Sequence, residues 1–348
     1  EIPLRLVGSE MCIRDSISAI PATLEEPVTG PFMIGEVYYE TLTAAINAVA
    51  ENTEATIKLV EPYSGAEAIS FSGKAITLDL NGQTAEITAL AVAGNGAKLT
   101  IKDSVGSGSL KVSGASAQVA AKNGAEIVME SGNVVSNYLG FVAVGDVTGA
   151  ADISSTITMT GGSVTSQEFG ITAQGRGATV NFHNGTVTAN DNAAIAGNGS
   201  NVDGNRLGGT VINITGGKLI SNITTPGYVS CGVYHPQSGV LNISGGEIVS
   251  TNGCGILMRG GTLNMTGGTV SAQGDQGALG MVGDARVVVP TSGLVLDLQA
   301  GYYDSANSNV GVSGSAVVNG SKEAVTIIPS QSTPAEDEIE KILSLIHI

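Results

Sequence analysis

The sequence predicts an all-β chain folded as a parallel β-helix, with one short α-helix capping its N-terminal end. Three observations carry that prediction. A strand–turn–strand phrase recurs through the middle of the chain, at intervals of 22 to 33 residues. Apolar residues alternate with polar ones inside each phrase. The composition also suits narrow, stacked elements, with 49 Gly among 348 residues, no Trp and 4% aromatics.

The recurring phrase is "ITMTGGSV" (157–164), which returns as "VNFHNGTV" (180–187), "INITGGKL" (212–219), "LNISGGEI" (241–248) and "LNMTGGTV" (263–270). Looser copies are "IVMESGNV" (127–134) and "LDLQAGYY" (296–303). Gly132, Gly162, Gly185, Gly217, Gly246, Gly268 and Gly301 anchor the copies. The base unit is 22–23 residues, and longer intervals carry insertions. Five and three residues before each anchor, and two after it, every position is hydrophobic: Ile157, Met159 and Val164 in one copy, Leu241, Ile243 and Ile248 in another. Alternation of this kind marks strands, and glycine supplies the turn between them.

A second short run follows each turn: "FGITA", "AAIAG", "CGVYH", "CGILM" and "GALGM". Three short strands per 22–23 residues match one rung of a parallel β-helix. One rung cannot bury its apolar face alone. Rungs stacked about 4.8 Å apart place equivalent side chains over one another and share backbone hydrogen bonds. "ITLDLNGQT" (76–84) and "SGSLKVSG" (107–114) extend the stack upstream.

The ends follow from the same logic. "YYETLTAAINAVAEN" (38–52) predicts a helix over 41–51, with Thr41 as its cap and Leu42, Ala45, Ile46 and Val49 on one face. Such a helix covers strand edges that the first rung leaves open. Residues 17–37 form a lead-in, 38–330 the β-helix domain, and 331–342 an acidic linker around "STPAEDEI". The stretch 1–16, with "LVGSEMCIRDS", and the final 343–348, "LSLIHI", read as one sequencing adapter translated in opposite orientations. The expectation is a fragment of a longer chain, monomeric within it, whose own text is about 17–342.

The segment "YETLTAAINAVAENTEATIKLVEP", the following "ITLDLNG" and the serial "TGG" rungs resemble the right-handed, pectate-lyase-like β-helix domains of bacterial adhesin-like surface proteins. "GYYDSANSNVGVSGSAVVNG" (301–320) is similar to the closing element of such domains. The resemblance covers roughly 36–330 and implies a right-handed helix, an extracellular or cell-surface location, and contact with glycans or other cell surfaces. Its superfamily also holds polysaccharide lyases and hydrolases acting on uronic or pectic glycans. Fold alone does not choose among them, nor between these and a passive spacer stalk.

Charge removes some partners. A formal net charge of −16 disfavours nucleic acid and anionic lipid, and no apolar run of 18 residues is present to span a membrane. Glu168 and Asp191 each lie six residues after an anchor, so they stack on adjacent rungs as the only acidic pair with a catalytic or calcium-binding reading. No basic residue is aimed at them, which favours a surface pair, a non-catalytic domain and no required cofactor, with calcium the one alternative.

Insertions at 145–154 and 197–209 leave the same corner, one rung apart. They are expected to wall a shallow binding cleft floored by Arg176, with Asp146 and Asp203 on its sides. A third insertion, 222–230, carries Tyr228, and Tyr234 follows on the next strand; exposed tyrosines there would stack on sugar rings. Cys231 and Cys254 are expected as stacked, buried thiols in the column of Phe169 and Ala193, since parallel side chains sit too far apart for an ideal disulfide. His183 and His235 read as ordinary surface or turn residues. Asn181, Asn213, Asn242 and Asn264, four before their anchors with Val128, Thr158 and Asp297, are expected to form an outward amide ladder rather than a ligand-binding or ice-binding stripe.

Overall fold

The computed structural model describes residues 29–148, 153–198, 200–202, 205–207, 209–223, 231–235, 239–251, 254–272, 279–289, 294–298, 317–320, 325–329 and 346–347. Asp203, Tyr228, the linker 331–342, residues 1–28 and residues 343–345 lie outside them. The described chain is a right-handed parallel β-helix. Three parallel sheets run along the stack. The first contains Ala75–Asp79, Lys98–Lys102, Glu126–Met129, Thr156–Met159 and Thr179–Phe182. The second contains Thr84–Ile87, Ser109–Val112, Asn133–Ser136, Ser163–Ser166 and Thr186–Ala189. The third contains Ala89–Ala93, Val119–Lys122, Phe141–Val144, Ile171–Gln174 and Ile195–Asn198. Further along, the strands run through the corners, so that Thr210–Ser221 and Gly239–Ser250 each serve the first and second sheets.

The alternation in the sequence becomes an inside and an outside. Ile127, Ile157, Val180, Ile212, Leu241 and Leu263 form one column of the core, each with no exposed surface. Met129, Met159, Phe182, Ile214, Ile243 and Met265 form the second, and Val134, Val164, Val187, Leu219, Ile248 and Val270 the third. Burying a side chain of this size stabilises by roughly 1.5–3 kcal/mol. The anchor glycines Gly132, Gly162, Gly185, Gly217, Gly246 and Gly268 all hold positive φ, from 74° to 101°. A Cβ on Gly162 would stand 2.7 Å from the Gly132 carbonyl oxygen, and one on Gly185 2.6 Å from that of Gly162. The corner therefore requires glycine twice over, for its torsion and for the close approach of the next rung.

The N-terminal end departs from the expectation in an informative way. The helix spans Leu42–Ala48, shorter than 41–51, and Thr41 caps it by accepting from the Ala44 N–H at 3.0 Å. Val49 is buried as expected but from extended backbone, because the chain must turn into the first rung through Asn52 at φ 59°. The open edge is closed by more than the helix. Phe32–Ile34 and Val37–Tyr39 form an antiparallel hairpin, and Phe32 pairs with Leu59 of the first rung, also antiparallel. Glu67 ties the cap down, accepting from the Thr43 and Tyr63 hydroxyls at 3.0 and 2.9 Å. Burial, then this hydrogen bond and the carboxylate charge, push the Tyr63 phenol up to about 12.

The far end corrects the predicted register. The first-sheet strand after Leu263 is not "LDLQAGYY". Leu279–Val289 takes that place, pairing Leu263 with Val287 and Asn264 with Val288. Leu294–Leu298 belongs to the second sheet instead, where Asp297 pairs with Ser271. Asp297 thus leaves the asparagine column. The cause is that Ser292 stands five residues after Val287, where the other copies place their anchor glycine, so "ARVVV" does not announce itself as a copy. Within 301–320, the described strand Val317–Gly320 continues the first sheet on Arg286–Val289.

Candidate functional site

The corner that follows the second sheet gathers the most exposed chemistry. Ser136 pairs with Ser166, and Ser166 with Ala189. The chain leaves the sheet in register, with the Glu168 N–H donating to the Tyr138 carbonyl at 2.9 Å and the Asp191 N–H to the Gln167 carbonyl at 2.8 Å. Tyr138, Glu168 and Asp191 therefore stand in one column, on three successive rungs. Tyr138 is 43% exposed, Asp191 is exposed and Glu168 half-buried.

The next rung ends this column. Ile223, six residues after Gly217, is buried. The spacing from the anchors stacks Glu168 on Asp191, and the register agrees. The same count, six residues after Gly132, reaches Tyr138, which the search for acid/base residues does not weigh.

Each of the two carboxylates has its own amide donor. The Gln167 side-chain amide donates to the Asp191 carboxylate, and the Asn192 amide to the Glu168 carboxylate at 3.1 Å. Asn192 is placed by a local irregularity: the register steps by 23 residues at Ser166 and by 24 at Ile171, which pairs with Ile195. The extra residue lets its amide reach across to Glu168. Among the described residues, no group of three or more His, Cys, Asp or Glu side chains converges to hold a metal ion.

The insertion corner is built differently from the expected cleft. Asp146 and Arg176 exchange backbone hydrogen bonds in an antiparallel bridge, at 2.8 and 2.9 Å. The Arg176 guanidinium also donates to the Asp146 carboxylate at 2.8 Å. Asp146 has no exposed surface and also accepts from the Thr148 N–H and hydroxyl. Arg176 is thus a clasp rather than an open floor, and Asp146 is interior rather than a wall. Removing one partner of such a pair strands a buried charge. The second insertion rises from the clasp as an antiparallel hairpin of Ser200–Val202 with Asn205–Leu207, and returns through Gly209, whose carbonyl accepts from the Gly177 N–H.

Tyr234 is also interior, at 6% exposed. It lies between the inward residues Val233 and His235, hence on the outer side of the third sheet, where Ala196, Tyr234 and Leu257 are in register. With Ala193, Cys231 and Phe169 they form a second apolar cluster, separate from the main core. Its burial withdraws the Tyr234 ring from any ligand. Cys231 and Cys254 are register partners, as their spacing predicted, and Cys231 is buried. His235 is a correction: it has no exposed surface and packs against Gly197 in the interior. His183 is exposed and hydrogen-bonds the Thr215 hydroxyl through Nδ1 at 2.8 Å.

The asparagine column forms the expected ladder. Asn264 donates to Asn242 at 2.7 Å, Asn242 to Asn213 and Asn213 to Asn181 at 2.8 Å, and Asn181 to the Thr158 hydroxyl at 3.5 Å. Every amide donates in the same direction along the stack, so this face is committed to holding rungs together.

No protein-family model, curated protein or solved structure matches this chain. Among the described residues, no helix is long and apolar enough to cross a membrane.

Proposed function

We propose that this chain is a non-catalytic β-helix domain of an extracellular or cell-surface protein, similar to the pectate-lyase-like adhesin domains, and that it contacts glycans at the Tyr138–Glu168–Asp191 corner. One observation carries the reading: an exposed aromatic ring stands in register with two carboxylates, beside amide side chains, on a rigid stack. Tyrosine offers an apolar face to the C–H side of a sugar ring, while carboxylates and amides supply its hydroxyls with acceptors and donors. The non-catalytic reading is favoured because, among the described residues, no basic side chain is paired with either acid.

The test is retention of the full chain on immobilised glycans, with reducing and unsaturated ends followed in solution. Retention that weakens in Tyr138→Ala, without chain cleavage, is the expected result. Cleavage abolished by Glu168→Gln would make the protein an enzyme, and absence of retention on every glycan would leave a spacer.

A further inference from the structure

Resting on that reading, we infer that the corner selects neutral, hydroxyl-rich glycans and rejects uronic or sialylated ones, and that it does so without calcium. The hydrogen-bond inventory points this way. An ionised carboxylate has about four acceptor sites and no donor. Among the bonds made at Asp191 and Glu168, one acceptor site each serves an amide, from Gln167 and Asn192. What remains facing solvent is acceptor capacity, and it calls for a partner that brings donors. Neutral sugar hydroxyls do so, whereas the carboxylate of a uronic or sialic acid would meet like charge.

Among the described residues, no cation is paired with Glu168 or Asp191. The column itself contains Tyr138, Glu168, Asp191 and Ile223, with Gln167 and Asn192 beside it. The lysines of the second sheet stand ahead of the corner: Lys111 is in register with Val135, and Lys218 is paired with Glu247 at 2.9 Å. A metal bridge to a uronate would need converging protein ligands, and the described residues supply no set of three. The net charge of −16 adds long-range repulsion of polyanions.

Geometry fixes the direction of the ligand. Successive rungs lie about 4.8 Å apart, so Tyr138 and Asp191 are separated by about 10 Å along the axis. A glycan of two or three rings laid parallel to the stack would place one ring on Tyr138 and offer the next hydroxyls to Glu168 and Asp191. The Gln167 and Asn192 amides hold both carboxylates in place before the ligand arrives, which lowers the ordering cost of binding.

The experiment is titration calorimetry of the full chain with cellohexaose, laminarihexaose and mannohexaose, against hexagalacturonate and sialyllactose, at 0.15 M salt with and without calcium. Parent, Tyr138→Ala, Glu168→Gln and Asp191→Asn are compared. Binding of at least one neutral hexamer is expected, unchanged by calcium, with a loss of about tenfold or more in Tyr138→Ala and a severalfold loss in each amide variant. Hexagalacturonate or sialyllactose binding more tightly than every neutral hexamer, and depending on Tyr138, would overturn the neutral selectivity but keep the corner as a glycan site. Binding that is indifferent to Tyr138→Ala, or no binding by any of the five probes, would overturn the glycan corner itself.

Discussion

The corner between the first and second sheets is made in two ways in the two halves of the stack. Upstream, carboxylates hold it. Asp79 accepts from the Asn81 and Ser104 N–H groups at 3.0 Å. Asp103 accepts from those of Gly82, Val105, Gly106 and Gly108. Downstream, the pairs Gly161–Gly162, Gly216–Gly217, Gly245–Gly246 and Gly267–Gly268 turn the chain with little more than backbone, the second glycine always left-handed. Both solve one problem: a tight corner turns backbone groups away from the strand ladder. A carboxylate supplies partners for them, while a glycine pair lets the next rung come close enough to do so.

The carboxylate solution concentrates its stabilisation in one side chain, so its loss should be the largest single effect. Asp103 is only 8% exposed. Burial raises its pKa, but the four backbone N–H donors outweigh burial and hold it below the usual carboxylate value of 3.8. Asp103→Ala would leave four donors without their acceptor and should cost about 3–4 kcal/mol in chemical denaturation. The pH dependence has a definite sign. A depressed native pKa gives stability that is full above the unfolded value and is lost as pH falls through the native one. Thermal melts from pH 6 to pH 2.5 should therefore fall more steeply for the parent than for Asp103→Asn. Parallel curves would show that Asp103 does not carry the acid sensitivity.

The glycine solution spreads its effect over rungs, so one substitution should cost less. A Cβ on Gly246 would meet the Gly216 carbonyl oxygen at 2.8 Å, at φ 90°. Gly246→Ala should destabilise by about 2–3 kcal/mol. Gly96 is the control, with φ 81° but nothing within 4 Å of an added Cβ. Gly96→Ala should cost only the left-handed torsion, about 1 kcal/mol. Equal losses at the two sites would mean that torsion alone, and not the approach of the next rung, fixes the downstream corner.

This contrast also explains what could be read in advance. The anchor glycines repeat as text at fixed offsets from the apolar positions, so the rungs from Gly132 to Gly268 and their core columns were legible, as was the asparagine ladder. Asp79 and Asp103 serve the same corner from different sequence contexts, so their role was not. "ARVVV" has Ser292 where an anchor glycine would stand, and the last register therefore differs from the one the glycines predict. Site residues were harder still. Loops were expected to carry binding, yet Asp146 and Arg176 spend their charge on each other and Tyr234 is buried beside Ala196 and Leu257. Whether an aromatic faces out depends on what packs over its strand, which spacing alone does not encode.

The ladder on the first sheet should sit below both corners in cost. Asn242 is in mid-ladder, accepting from Asn264 and donating to Asn213, whereas Asn264 makes only the donation at one end among the bonds described. Asn242→Ala should lose about 1–2 kcal/mol and Asn264→Ala about half as much. If the two losses were equal, the amides would be acting as independent surface groups rather than as a chain.

Tyr138 closes the series because it should cost nothing structural. The residue is 43% exposed, and its hydrogen bond to the next rung is made by its backbone carbonyl, which alanine retains. Tyr138→Ala should leave the denaturation midpoint within about 0.5 kcal/mol of the parent. That expectation separates it from Asp79, Asp103, the corner glycines and the asparagines, each of which holds part of the fold. A loss of 2 kcal/mol in the unliganded protein would show that Tyr138 is part of the scaffold after all. An unchanged midpoint together with weakened glycan retention in the same variant would assign Tyr138 to binding rather than to the scaffold.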